Sequence, residues 1–429
     1  MRDDNCGCGL HGASRRDLLR WGAATAGFLA MGPFRGVLPN AAGAPLPLKR
    51  LVIVNLIGGN DTLNTFIPVT LAPYFARRGA LAIPEATAIS LNGGPAATTR
   101  YRMNPFLPKI ADLYKEGKVA AVQKVGYPNE NLSHFESMDI FSLGVRNGFE
   151  GLGLPRTGWI ARYAGLYAPT PMGAVSIGAG RPLDFDGATT SPVIVNELDT
   201  FKLNDDFGAT DELYRLEQSK QLLANYQGSG LRLEAKRAAF VGYEISDQVQ
   251  TAVAAYTSTV NYGTSYIAQR LRDVAILIKG GFETRVFYTG FGNFDHHSAQ
   301  GTDLNFGNHA KLLVQLDDAV GGLAEDLKSM GAWNDTVIAI ITEFGRRNYS
   351  NASSGTDHGH GFCELLVGGK VKGGVLGSDL VDADLNSEYL AYDIDFRSIY
   401  KEAISQHLGG DPDPVFPEAL EKSTQANFI

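Results

Sequence analysis

Short runs without charge, each closed by a loop bearing glycine or carboxylate, recur along this chain with helical stretches between them. Residues 51–57 read Leu-Val-Ile-Val-Asn-Leu-Ile and stop at Gly58-Gly59. Residues 336–342 read Thr-Val-Ile-Ala-Ile-Ile-Thr and stop at Glu343. Runs that are apolar almost throughout, not at alternate positions, belong to strands covered on both faces, as in parallel sheets between helical layers. Further strands are expected at 119–122, 174–177, 193–195, 284–289 and 364–367. Helices are expected at 105–116, from Ser133, near Thr157, at 305–330 and at 395–408. Within 305–330, Leu312, Leu316, Ala319, Val320, Leu323 and Leu327 recur at spacings of three and four and mark one buried face. Residues 180–210 read as a long surface connection, and 211–278 as an inserted layer of two or three helices beside the site. The expected fold is α/β, a mostly parallel central sheet sandwiched by helices.

In such sheets ligands bind beyond the carboxyl ends of the strands. The polar residues of this chain collect there. The run 51–57 leads into Gly58-Gly59-Asn60-Asp61, the run 284–289 into Asn293-Phe294-Asp295-His296-His297, and the run 336–342 into Glu343-Phe344-Gly345-Arg346-Arg347. A loop beyond the last reads Gly355-Thr356-Asp357-His358-Gly359-His360-Gly361. Crowded carboxylates repel one another unless cations neutralise them, and imidazoles beside them suit zinc, manganese or iron. Asp61, Asp295, His297, Glu343, Asp357 and His358 are therefore candidate donors to one or two metal sites, with His360 beside them. The plainer reading makes Asp61 a turn or helix cap and Asp295 and His297 ordinary loop residues. Glu343 at the end of an apolar strand is costly without a partner, and the two histidines flanking Gly359 are harder to dismiss.

Ser133-His134-Phe135-Glu136 has the spacing of a capping box, in which Ser133 caps the following helix. A serine at a helix N-terminus also sits where backbone N–H groups and the helix dipole favour an anion. Ser133 is thus a candidate both as cap and as nucleophile toward a phosphate or sulfate ester. Arg346 and Arg347 are candidates for gripping the oxyanion, or plain surface charges.

The N-terminus reads as an address. Ser14-Arg15-Arg16-Asp17-Leu18-Leu19 precedes a modest apolar stretch and then Ala41-Ala42-Gly43-Ala44, the layout of a twin-arginine signal peptide over residues 1–44. That stretch carries Gly22, Gly27, Gly32, Pro33 and Arg35, too weak for a stable membrane span. Residues 45–429 are expected to form the folded domain, periplasmic or secreted, with the twin-arginine translocase as its partner during export. Cys6 and Cys8 fall in the leader, so only Cys363 remains and no intramolecular disulfide can form. The net charge of -8, with no basic cluster beyond the leader, argues against nucleic acid as a partner. No cysteine spacing for haem or iron–sulfur clusters and no dinucleotide fingerprint supports a redox protein.

The twin-arginine leader, Gly58-Gly-Asn-Asp-Thr-Leu-Asn64, Ser133-His-Phe135, Gly158-Trp159, Phe294-Asp-His-His297, Glu343-Phe-Gly-Arg346, Gly355-Thr-Asp-His-Gly359 and Val367-Gly-Gly-Lys-Val-Lys-Gly-Gly374 resemble the domain of unknown function 1501 family, in order and along essentially the whole chain. That family is grouped with the alkaline phosphatase and sulfatase superfamily. The resemblance implies a metal-dependent hydrolase of phosphate or sulfate esters of small molecules or glycans. It also implies one or two divalent cations, with zinc, manganese, calcium and magnesium all open. By the same resemblance Asp61 takes the place of a first-strand metal aspartate, and Asp295 and His297 resemble the paired ligands of one site. His358 or His360 supplies the late histidine, while Ser133, His134 and Arg346 are the catalytic candidates. Glu343 stands in the place of a second-site aspartate, but Phe344 replaces a histidine that many relatives carry, and no formylglycine pattern is present. The rival expectation is a binding or structural protein that kept the fold without the chemistry.

Overall fold

Among the described residues, nine strands build the main sheet: β1 (Arg50–Leu56), β2 (Val119–Gly126), β3 (Ala174–Ile177), β4 (Val193–Val195), β5 (Val286–Phe291), β6 (Thr336–Ile341), β7 (Phe362–Gly368), β8 (Gly374–Leu376) and β9 (Ile394–Asp395). The computed structural model describes residues 48–149, 152, 155–187, 192–202, 212–303 and 307–429. The expected leader, residues 1–44, lies outside them, as do 188–191 and 203–210 of the expected connection, 211 of the expected helical layer and 305–306 of the expected helix 305–330. Across the sheet the order is β8-β2-β7-β6-β1-β5-β3-β4, with β9 paired to β2. Pairings are parallel except those of β7, which runs against both β2 and β6.

β1 shows why the strands are apolar throughout. Val52, Val54 and Leu56 point into one hydrophobic layer, and Leu51 and Ile53 into the other. The first layer is closed by α1 (Pro108–Lys115), α6 (Tyr266–Lys279) and α7 (Asn308–Ser329), the second by α2 (His134–Leu143), α3 (Trp159–Tyr167) and α8 (Phe396–Glu402). The stripe predicted from Leu312 to Leu327 is buried as a unit in the first layer. The mostly parallel sheet flanked by helices is therefore the expected architecture.

The helices after 211 divide their roles. α4 (Glu212–Asn225) and α5 (Leu231–Ala255) pack on each other, and Tyr214, Leu222 and Leu231 are exposed. α6 is different: Ile267, Leu271, Val274 and Ile278 are buried in the first hydrophobic layer, so it belongs to the sandwich. Among the described residues no helix is long and apolar enough to cross a membrane.

The direction of β7 decides what reaches the site. β1, β2, β5 and β6 deliver their trailing loops to one edge of the sheet. β7 is antiparallel, so its leading loop, 355–361, arrives at the same edge.

Candidate metal centre

The loops at that edge are tied to one another before any side-chain chemistry is considered. Arg347 N–H donates to the Asp357 carbonyl at 2.9 Å, Gly345 N–H to His360 O at 2.8 Å, and Gly359 N–H to Gly345 O at 2.9 Å. Gly359 is required for this stitch, because a Cβ there would lie 2.5 Å from the Arg346 carbonyl carbon. Gly58, at φ +117°, is required for another: its Cβ would meet the Asp295 nitrogen at 2.5 Å. Its N–H instead donates to Glu343 Oε1 at 2.8 Å.

Three histidines meet on this frame, each with Nδ1 tied to an acceptor. His134, the first residue of α2, places Nδ1 2.7 Å from Glu343 Oε1. His358 Nδ1 lies 2.6 Å from the Leu132 carbonyl. His297 Nδ1 lies 2.8 Å from Asp357 Oδ1. A carbonyl or carboxylate can only accept, so Nδ1 carries the proton in all three rings and each neutral ring keeps its lone pair on Nε2.

Those Nε2 atoms converge on Asp295. His297 Nε2 is 3.0 Å and His358 Nε2 3.2 Å from Asp295 Oδ1, and His134 Nε2 is 3.3 Å from Oδ2. One donor atom each from His134, Asp295 and His358 lies within 4.8 Å of the others. His134 Nε2 is buried and, despite that approach, makes no hydrogen bond. His297 Nε2 and His358 Nε2 face each other at 2.9 Å, where two lone pairs repel unless a proton or a cation lies between them. Imidazoles oriented through Nδ1 by carboxylate or carbonyl, presenting Nε2 toward a carboxylate, form a donor set that fits a divalent cation. Phe344, fully buried, packs against the His134 and His358 rings at 4.8 and 4.7 Å and walls the cluster with carbon.

The electrostatics of Asp295 and His358 agree with donor roles, whereas those of His134 favour its protonated form until a cation displaces the proton. Burial raises the Asp295 pKa, but the hydrogen bond and charge of Arg346 outweigh it and hold the carboxyl at about 2. Glu343 raises the pKa of His134 through their hydrogen bond, against the burial that lowers it. Burial lowers that of His358.

The remaining expected residues occupy other stations. Arg346 is not free to grip an oxyanion. Its side chain is 1% exposed. Nε donates to Gly59 O at 2.6 Å, Nη1 to Thr356 O at 2.9 Å, and Nη2 to Asp295 Oδ1 at 2.7 Å, to Phe294 O and to Gly58 O. Arg346 is a clasp joining three loops and fixing Asp295. Glu343 and Asp357 orient His134 and His297.

Asp61 is withdrawn from the cluster. Buried at 2% exposure, its Oδ2 is taken by the Arg78 guanidinium and by Gln300 Nε2, the latter at 2.6 Å. Burial would raise its pKa, but the charge of Arg78 outweighs it. His360 is buried against Tyr127 and Tyr392, and its Nε2 accepts the Tyr127 N–H at 3.4 Å. Burial holds its pKa at about 4. Arg347 pairs with Glu388 and stacks on Tyr349.

Ser133 is exposed and holds the N-cap position of α2, a helix of 10 residues, but its hydroxyl makes no capping bond. The capping box legible in the sequence is therefore not formed. Sequence reasoning set His134 beside Ser133 as a catalytic candidate, whereas its ring stands among the metal donors. It missed the Leu132 carbonyl, a backbone group without a side-chain signal, and the buried partners Arg78 and Gln300.

The family model described as "Protein of unknown function (DUF1501)" matches residues 120–383. A comparison with curated proteins finds no match. Among solved structures the chain is similar to the PsFucS1 sulfatase from Pseudoalteromonas sp., at 10% identity and TM-score 0.36, covering 79% of this chain and 66% of that one, just under two thirds. It is similar to the lipoteichoic acid synthase LtaP from Listeria monocytogenes, at 10% identity and TM-score 0.32, covering 76% and 69%. It is also similar to a protein in the alkaline phosphatase superfamily from Vibrio parahaemolyticus, at 11% identity and TM-score 0.29, covering 83% and 69%.

Proposed function

The chain belongs to the DUF1501 family of proteins of unknown function, and we propose that it is an exported, metal-dependent hydrolase of phosphate or sulfate esters. One observation carries this reading. Three histidines have Nδ1 committed to acceptors, and their Nε2 atoms gather at the carboxylate of Asp295. His134, His297, His358 and Asp295 are the residues that would hold the cation. When bound there, a divalent cation supplies Lewis-acid charge for the oxygens of a phosphoryl or sulfuryl group.

The chain's own groups supply the rest. Ser133 presents its hydroxyl to solvent on the residue preceding His134, free of any capping bond, and is the proposed nucleophile. The first amides of α2 have no partners within the helix and, with its dipole, favour an anion at this end. Arg346 and Glu343 keep the donors in place and do not touch the substrate. The ester class comes from the family resemblance, and the leader over residues 1–44 supports export.

The rival reading, a non-catalytic binding protein, is favoured by the engagement of Arg346 and Asp61 elsewhere, which leaves the oxyanion without a free arginine among these residues. Elemental analysis of the purified protein, followed by a panel of phosphate and sulfate esters with each metal restored, separates the two. The expected result is bound divalent metal, lost in His297→Ala and His358→Ala, together with turnover of at least one ester. Metal without turnover favours the rival, and unchanged metal content in both variants removes the metal centre.

A further inference from the structure

His358 is oriented by a main-chain carbonyl, and that carbonyl needs an anchor of its own. Leu132 O meets His358 Nδ1 at 2.6 Å. The N–H of the same peptide unit, that of Ser133, donates to Asn131 Oδ1 at 2.8 Å. A peptide unit is planar and, being trans here, turns its C=O and N–H in opposite directions, so whatever holds one end aims the other. Asn131 is itself tethered. Its carbonyl accepts the Ser137 hydroxyl at 2.6 Å and the Tyr127 phenol at 2.8 Å, and its N–H donates to the Tyr127 oxygen at 3.3 Å. Tyr127 and Ser137 are both fully buried. A buried pair of hydroxyls therefore holds the Asn131 backbone, and the Asn131 side chain holds the peptide on which His358 rests.

We infer that Asn131 is a positioning residue of the cluster: by gripping one end of the Leu132–Ser133 peptide, it keeps the carbonyl at the other end on His358 Nδ1. A neutral imidazole carries one N–H, and the hydrogen bond made by one nitrogen sets which nitrogen keeps the lone pair. With Nδ1–H pinned, Nε2 of His358 is left as the donor, 3.2 Å from Asp295 Oδ1. This rests on the metal-centre reading of the same cluster. His297 takes its orientation from the Asp357 carboxylate instead, so its Nδ1–H does not depend on Asn131.

The test compares the full chain with Asn131→Leu, which keeps the shape of the side chain without an acceptor, and Asn131→Asp, which keeps an acceptor oxygen. In metal-free protein, proton NMR reads the imidazole N–H signals of His358 and His297, identified by their absence in His358→Ala and His297→Ala. Wild type and Asn131→Asp are expected to show a sharp His358 Nδ1–H signal, and Asn131→Leu to lose it while that of His297 stays. Zinc affinity, measured against a competing chelator, is expected to fall about three- to tenfold in Asn131→Leu, the net effect of one hydrogen bond, and not to fall in Asn131→Asp. A merely structural role would dim both imidazole signals together. That outcome, an unchanged His358 signal or unchanged zinc affinity in Asn131→Leu, or failure of Asn131→Asp to restore both readouts overturns the assignment. The signals are read without metal, so they decide the role of Asn131 separately from whether wild type binds zinc.

Discussion

Nδ1 of His134 and Oε1 of Glu343 lie 2.7 Å apart, and this single contact joins the first turn of α2 to the loop that follows β6. The same oxygen accepts the Gly58 N–H at 2.8 Å, so Glu343 also fixes the loop after β1. Buried to 1% exposure, the carboxylate is not a surface charge.

Glu343→Gln should therefore loosen metal binding without removing a ligand. The amide keeps the shape but loses the charge that orients and polarises His134, and losses of this kind are about 10–100-fold in affinity. Competition against a chelator measures it. Affinity equal to wild type would show that Glu343 does not orient the cluster.

Much of the frame was legible because central strands are apolar on both faces, and β1 and β6 are readable from Leu51 and Val337 onward without any partner. The direction of β7 was not legible. Nothing in Phe362–Gly368 marks it as antiparallel, yet that direction brings His358 to the site from the start of a strand. Long-range pairing hid other roles. Asp61 meets Arg78 only because the short helix Ala72–Arg78 folds back over it, and the two residues are spaced without helical or strand periodicity. His358 and His360 are equivalent in sequence and separate only when one meets Leu132 and Asp295 and the other Tyr127 and Tyr392.

Glu364 makes stability depend on pH. It lies in β7 at 0% exposure, with neither carboxyl oxygen hydrogen-bonded, and burial pushes its pKa up to about 8. The folded chain therefore keeps a proton that the unfolded chain releases near the ordinary carboxylate pKa of about 4.3. Between those values the folded state binds more protons, so this group's contribution falls as pH rises and levels off above about 8, at about 1.4 kcal/mol per unit. Denaturant midpoints measured at pH 5.5 and 8.5 should differ less in Glu364→Gln than in wild type. Asp184, Asp273 and Asp317, raised to about 6 by burial, give both proteins a common background slope. An identical pH slope in the variant would mean that Glu364 is charged, or released, in the native protein.

Ser133 separates structure from chemistry more cleanly than its sequence motif allowed. Replacing a working cap by alanine costs about 1 kcal/mol, but the Ser133 hydroxyl makes no capping bond. Ser133→Ala is therefore expected to shift stability by no more than about 0.5 kcal/mol, the range of a plain surface change. Ser133→Asn restores a strong capping residue at the same position and removes the attacking hydroxyl. Both variants should retain bound metal, because His134, Asp295, His297 and His358 are untouched, and both should lose ester hydrolysis. Melting curves, metal content and turnover on a single preparation distinguish the outcomes. A destabilised alanine variant rescued by asparagine would return Ser133 to the role of cap. A folded, metal-bound asparagine variant that keeps most of the wild-type rate would exclude it as the nucleophile.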